Sequence, residues 1–313
     1  MADIFRTSDG VALNVVDTGP EDAPTTVVLA HGWTSDLRVW DEVVAHLAPH
    51  VRVLRYDHRG HGRSAAAPRG SATLPRLSTD LAELIAARVP TGEVVVVGHS
   101  MGGMTMMSLA ETHPDLVAHL AGAMFISTSA AEMATLTFGL PRPVVKAFMN
   151  RRSRSTSRST TTTAPADDPT TDLVDREPPK ASRAQALASL AFLRWLVFGS
   201  TFRLVDVRAA ADQLARAHKG TVGGLQRDIL RNHSRVPALA AYKAVRTQVL
   251  VGEADRVTPL EHAHVIARAL PDTEFVRYPG AGHMLPYERN REVAARILRL
   301  VAKAEGKVPQ AVV

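Results

Sequence analysis

The chain has 313 residues, enough for one large domain or a domain carrying an insertion, and its 45 % hydrophobic and 22 % charged content is that of a globular protein. Cysteine is absent, which excludes disulfides and thiol chemistry. The formal charge of +6 comes mostly from scattered arginine, with no nucleic-acid motif and no basic stripe interleaved with aromatics, so it reads as a solvated basic surface.

The N-terminal stretch from Met1 to Gly10 lacks the apolar core of a signal peptide, and no later run could span a bilayer. The cytoplasm is therefore the expected compartment. Ile4–Thr7 and Val11–Val16 flank Ser8-Asp9-Gly10, a hairpin signal. Thr25–Ala30 reads as a buried strand that ends in His31-Gly32-Trp33. Val39–Leu47 has helical periodicity, and Val51–Tyr56 is the next strand. A polar loop punctuated by glycine follows, Asp57-His58-Arg59-Gly60-His61-Gly62-Arg63-Ser64. Leu77–Val89 is helical, Glu93–Val97 and Leu120–Ser127 are strands, and strand alternating with helix predicts a mostly parallel sheet.

After Ser127 the pattern breaks. From about Ala130 to Ala241 the periodicity is helical, best over Ala184–Phe198 and Val205–Ala217 and weaker over Gly220–Asn232. Within it, Asn150–Lys180 is low-complexity and cannot bury apolar surface, so a solvated, mobile insert is expected. Its arginines Arg151, Arg152, Arg154 and Arg158 could make weak contact with an anionic surface. Strand and helix resume with Thr247–Val251, Leu260–Leu270 and Glu274–Tyr278. A last helix is expected from Asn290, read as its N-cap, to Ala304, before a frayed tail.

The chemistry centres on Gly98-His99-Ser100-Met101-Gly102. Val94, Val95, Val96 and Val97 precede it as a strand buried on both faces, and a Met-, Leu- and Ala-rich helix follows to about Thr112. A serine between two glycines at a strand-to-helix junction has the form of a nucleophile elbow, in which a strained turn lifts the hydroxyl out of the sheet. The same turn sets the Met101 N–H at a helix N-terminus, where it can face developing negative charge. Met101, Met104, Met106 and Met107 read as core packing between helix and sheet rather than as a lipid-lined pocket.

Together with His31-Gly32-Trp33, the Asp57–Ser64 loop, Asp255 with Thr258-Pro259, and Gly282-His283, this motif resembles the α/β-hydrolase family. The resemblance covers most of the chain outside the low-complexity stretch. It implies an eight-stranded, mostly parallel sheet with a helical cap between strands six and seven. The expected division is a discontinuous core of residues 1–128 and 242–304, a cap of residues 129–241 and a tail of residues 305–313. It further implies the chain order Ser100, Asp255, His283 for nucleophile, orienting acid and base, with Trp33 supplying the second oxyanion N–H beside Met101. Only one glycine follows His31, unlike the glycine-rich loop of esterases that act on bulky alcohols.

Rival residues have weaker claims. Glu253 lies nearer its strand than Asp255 and is expected to point elsewhere, and Glu132 sits where some relatives carry the acid. The His99 side chain is expected to project away from Ser100. His58 and His61 have metal-pair spacing but no completing carboxylate set, and His262 and His264 lie two apart on a helix and face different ways. Pocket lining is expected from Leu190–Phe198, including Trp195. The expected activity is cofactor-independent cleavage of a small-to-medium lipophilic carboxylic ester, with no cofactor or metal. Carbon–carbon bond hydrolysis, perhydrolase or haloperoxidase-like chemistry, and non-catalytic ligand binding are the alternatives the same residues leave open.

Overall fold

The computed structural model describes residues 2–131, 133 and 183–307. Eight strands form one sheet: β1 (Ala2–Arg6), β2 (Ala12–Thr18), β3 (Thr25–Ala30), β4 (Arg52–Tyr56), β5 (Glu93–His99), β6 (Gly122–Ile126), β7 (Thr247–Gly252) and β8 (Glu274–Tyr278). Their spatial order is β1-β2-β4-β3-β5-β6-β7-β8. β2 runs antiparallel to both of its neighbours, and every pairing from β4 to β8 is parallel.

The strands are apolar on both sides because the sheet is covered on both sides. Val94 and Val96 of β5 enter one core layer, against Leu81, Leu84 and Ile85 of α2 (Leu74–Arg88) and Met106, Met107 and Leu109 of α3 (Met101–Thr112). Val95 and Val97 enter the other, against Val43 and Leu47 of α1 (Asp41–Leu47). β3 alternates in the same way, with Val28 and Ala30 on the first face and Val27 and Leu29 on the second. Each fully buried valine contributes about 2 kcal/mol of transfer free energy, so the central strands are where the sheet is anchored.

Helix boundaries follow local chemistry. The Thr73 hydroxyl accepts from the Arg76 N–H at the start of α2, and Pro75 fits its first turn. A 3₁₀ turn over Leu37–Trp40, capped by Asp36, precedes α1 where a single helix was expected. Short α4 (Pro114–Ala118) was not anticipated. α5 (Arg183–Val197), α6 (Leu204–Arg216) and α7 (Lys219–Asn232) lie between β6 and β7, followed by a 3₁₀ turn over Pro237–Tyr242. They form the described part of the inserted helical cap. α8 (Leu260–Ala269), the single-turn α9 (Leu285–Glu288) and α10 (Asn290–Ala304) complete the chain, with Val293, Ile297 and Leu300 of α10 on the second core face. Asn290 is not the N-cap of α10. Arg289 occupies that position, and the Asn290 amide donates to Glu42 and to the Tyr287 carbonyl (3.3 Å). Glu132, the whole low-complexity stretch Asn150–Lys180 with its four arginines, and residues 308–313 of the tail fall outside the described residues. No helix among the described residues is long and apolar enough to cross a membrane.

The Asp57–Ser64 loop after β4 is a polar knot that ties the fold together. All five N–H groups of the fully buried Arg59 guanidinium are used: on Asp80 at 2.7 and 2.7 Å, on Asp9 at 2.9 and 3.0 Å, and on the Ser71 hydroxyl at 2.9 Å. This links the β1–β2 turn to the middle of α2. Removing one member of such a buried pair leaves a charge without compensation. Asp80→Asn is therefore expected to lower stability by about 3 kcal/mol in urea unfolding, whereas a loss under 1 kcal/mol would mean that the network relaxes around the missing charge.

Candidate active site

Among the described residues, three other than glycine have left-handed backbone, Thr34 (φ 63°), Ser100 (φ 52°) and Ser127 (φ 44°), and they follow β3, β5 and β6. Strain of this kind costs on the order of 1–3 kcal/mol per residue and persists only where the surroundings enforce it. Here it gathers at the carboxyl ends of three adjacent strands, where open α/β sheets place their sites.

The Ser100 turn is enforced by glycine. A Cβ on Gly98 would lie 2.5 Å from backbone atoms of Gly102 and Gly103, and one on Gly102 would lie 2.2 Å from the Ala30 carbonyl oxygen. β5 can thus pass into α3 with that helix pressed against β3. The Ser100 N–H donates to the Ile126 carbonyl (2.9 Å), and the Ser100 carbonyl accepts from Gly103 N–H, Met104 N–H and the Thr128 hydroxyl (2.9, 3.2 and 2.7 Å). Gly32 approaches so closely that a Cβ there would sit 3.1 Å from Ser100 Cβ, which brings the His31-Gly32-Trp33 turn beside the serine. Among the described residues, neither the Trp33 nor the Met101 backbone N–H has a hydrogen-bond partner.

The structure brings His283 and Asp255 together. His283 Nδ1 lies 2.8 Å from Asp255 Oδ2, and both side chains are buried. The carboxylate also accepts from Val257 N–H (2.8 Å), Thr258 N–H (2.8 Å) and the Thr258 hydroxyl (2.9 Å). Burial pushes the Asp255 pKa up, but the His283 ring and the Thr258 donors outweigh it and leave the value below the usual carboxylate range. The two loops are in backbone contact: Ala254 N–H donates to the Ala281 carbonyl (2.8 Å), and a Cβ on Gly252 would overlap the Gly282 oxygen at 2.2 Å. Glu253 turns away toward Arg277, at 3.8 Å.

His99 does project away from Ser100, yet it is part of the same assembly. Its Nε2–H donates to the His283 carbonyl at 2.9 Å, tying the strand that carries the serine to the loop that carries the second histidine. His58 and His61 make backbone bonds instead of a metal pair. His31 Nε2 accepts from His58 N–H (2.9 Å), His58 Nε2–H donates to the His31 carbonyl (3.1 Å), and His61 Nε2 accepts from Thr34 N–H (3.2 Å). These neutral rings grip the turn that presents Trp33. His262 and His264 diverge as expected, one on the Ser129 hydroxyl (2.7 Å), the other against the Phe275 ring.

All four methionines are buried core, as expected: Met106 and Met107 lie in the first core layer, and Met101 and Met104 pack with Leu74, Leu77, Trp33 and the cap residues Leu225 and Ile229 in a separate apolar cluster next to Ser100. α3 is buried on all sides, so no polar stripe distinguishes its core face from its cap face. Just after α5, Phe198 is buried against Tyr287 in the sheet core, and the Trp195 ring and carbonyl are engaged by Arg256 (5.3 and 2.9 Å). The cap also docks through the Trp33 indole N–H on the Val222 carbonyl (3.0 Å) and Leu74 N–H on the Asp228 carboxylate (2.7 Å).

An eight-stranded α/β sheet with a strained serine turn, a buried histidine–carboxylate pair and a helical insert between β6 and β7 defines a class of protein. The chain belongs to the α/β-hydrolase fold family, whose model matches residues 25–290. RutD of Yersinia enterocolitica, provisionally named a carbamate hydrolase, is 38 % identical over 98 residues, 31 % of this chain and 35 % of that one. The chain thus spans about a third of that curated relative. A thermophilic esterase from Thermogutta terrifontis superimposes with a TM-score of 0.73 at 24 % identity, covering 97 % of this chain and 99 % of that one. An enol-lactonase from Burkholderia xenovorans does so with a TM-score of 0.71 at 22 % identity, covering 96 % and 100 %. At these identities the likeness to the solved structures is one of fold.

Burial holds the pKa of His31, His61 and His99 down at about 3, and that of His58 well below its ordinary value. The folded state keeps these rings neutral, while the unfolded chain protonates them near pH 6.5. Their contribution is complete above that pH and is lost as pH falls from 6.5 toward 3, at about 1.4 kcal/mol per pH unit for each ring. Urea midpoints are expected to fall steeply between pH 6.5 and 5, and less steeply in His61→Gln. An unchanged slope in that variant would show that His61 is already protonated in the fold.

Proposed function

We propose that this protein is a serine hydrolase that cleaves a carboxylic ester of a small-to-medium lipophilic substrate through an acyl-enzyme. The observation that carries the reading is the 2.8 Å bond between His283 Nδ1 and the buried carboxylate of Asp255, one loop contact away from the strained Ser100 turn. An ionised Asp255 fixes Nδ1 as the protonated nitrogen, so Nε2 carries the lone pair that a general base needs. His283 takes the proton of Ser100 as its Oγ attacks the ester carbonyl. The Trp33 and Met101 N–H groups receive the oxyanion of the tetrahedral intermediate. His283 then protonates the departing alcohol, and a water activated by the same ring releases the acid and regenerates Ser100.

Membership of the α/β-hydrolase family supports a hydrolase, and the absence of a glycine-rich stretch after His31 fits a compact alcohol better than a bulky one. The apolar cluster of Met101, Met104, Leu74, Leu225 and Ile229 beside the serine suits a lipophilic group. The cap helices supply two of its members. No step calls for a cofactor.

Hydrolysis of p-nitrophenyl esters of increasing acyl length tests the reading. The wild type is expected to turn them over with an optimum at short to medium chains, and Ser100→Ala is expected to fall to background. Asp255→Asn, which leaves the ring without its orienting charge, is expected to lose about 10³- to 10⁴-fold in kcat. A wild type inactive on every ester, or a Ser100→Ala variant as active as wild type, would overturn the proposal.

A further inference from the structure

Beyond its bond to Asp255, His283 is held by contacts from the cap. Its backbone N–H, and that of Met284, donate to the Val197 carbonyl at the end of α5 (2.9 and 3.2 Å). The next cap residues lie directly on the histidine loop: Ser200 N–H donates to the Gly280 carbonyl (2.8 Å), and a Cβ on Gly199 would sit 2.0 Å from that same oxygen. A Cβ on Gly282 would sit 2.5 Å from Gly199 N. Two backbone N–H groups from distant parts of the chain therefore come together with no room for side chains between them, and both need an acceptor.

One carboxylate serves both. Glu288 Oε2 accepts from Gly199 N–H (2.9 Å), and both Glu288 oxygens lie 3.0 Å from Gly282 N, the residue before His283. The carboxylate sits on α9, a single turn pinned from two sides. Leu285 is fully buried in the core, and the Tyr287 hydroxyl accepts from the Gln213 amide of α6 at 2.7 Å. Glu288 reaches neither Ser100 nor the His283 ring by any hydrogen bond among the described residues. It acts on the ring through the backbone of Gly282.

We propose that Glu288 is a positioning residue that clamps the cap's return segment onto the histidine loop, so that His283 is aligned only while the cap is seated. The inference rests on His283 serving as the general base. A carboxylate is suited to the task because Oε2 accepts from both donors and Oε1 adds a second bond to Gly282 N–H. A glutamine keeps one oxygen and turns an NH₂ group, itself a donor, against the Gly282 N–H.

The test compares wild type with Glu288→Gln in three readouts. For p-nitrophenyl ester hydrolysis, kcat is expected to fall about tenfold or more with KM changed less than twofold, because small misplacements of a catalytic group act on the chemical step. In proton NMR of the substrate-free Ser100→Ala protein, the downfield Nδ1–H signal of His283 is expected to broaden or vanish when Glu288→Gln is added. Thermal unfolding gives the third readout. A variant with a lower Tm but wild-type kcat and an intact downfield signal would overturn the proposal and leave Glu288 a purely structural residue. If Glu288→Gln does not fold, Glu288→Asp, whose shortened carboxylate cannot span both donors, is expected to show the same fall in kcat at near-constant KM. A wild-type kcat there would equally overturn it. If the wild type hydrolyses no ester, the functional reading fails by itself, and the NMR signal still decides the role of Glu288.

Discussion

The left-handed backbone at Ser100 sets the terms for what surrounds it. A β-strand cannot turn into a helix within one residue unless the helix comes down almost onto the sheet. Gly98 and Gly102 permit this by leaving no Cβ between β5 and the α3 backbone, or between α3 and the carbonyl end of β3. The strain is supported by ordinary bonds: the Ser100 N–H joins β6, and its carbonyl takes up two N–H groups of the first turn of α3 and the Thr128 hydroxyl. Because the serine stands at the carboxyl end of β5, the loops after β3, β7 and β8 converge on it. The close approach of Gly32, and of Gly252 to Gly282, follows from that convergence.

Buried polar groups carry the second half of the architecture. In the proposed function the loops at this end of the sheet present N–H groups and a hydroxyl to a ligand, a task that apolar packing alone does not serve. They are held by side chains bonded to backbone instead: His31, His58 and His61 on the Trp33 turn, His99 on the His283 carbonyl, and Glu288 on Gly282 and Gly199. Such bonds are directional, so they fix angles as well as distances. They also make this end of the molecule sensitive to acid, because the His31 and His61 rings accept backbone N–H bonds only while neutral. The opposite arrangement holds for Arg59, whose charge is matched donor by donor in a place where nothing has to move.

Much of this was legible in the sequence, for identifiable reasons. The valine run of β5 and the apolar stretches of β3 and β7 are too short for helices and apolar throughout, which is the mark of strands covered on both faces. Glycines flanking a serine at a strand end announce a tight turn, while Asp255 and His283 were named by the resemblance to the family's chain order, each in a loop after a strand. The rest depends on contacts between residues far apart in the chain. Glu288 gives no local signal, since its partner Gly199 lies 89 residues away. Strand alternation sends His99 away from Ser100 but does not say that its ring ends on the His283 carbonyl. The division of the methionines was illegible because a helix buried all round has no polar face to orient it. Asn290 misled because the single turn of α9 runs straight into α10 and places Arg289 at the cap.

The central claim is that Ser100 is a nucleophile activated by His283. The most direct measurement is mass-spectrometric mapping of the adduct formed with a fluorophosphonate, which reacts with an activated serine without needing the right acyl group. The account predicts one covalent adduct per chain, on the peptide containing Ser100, and slow or absent labelling in His283→Ala. No adduct, an adduct on another residue, or labelling of Ser100 at an undiminished rate in His283→Ala would contradict it.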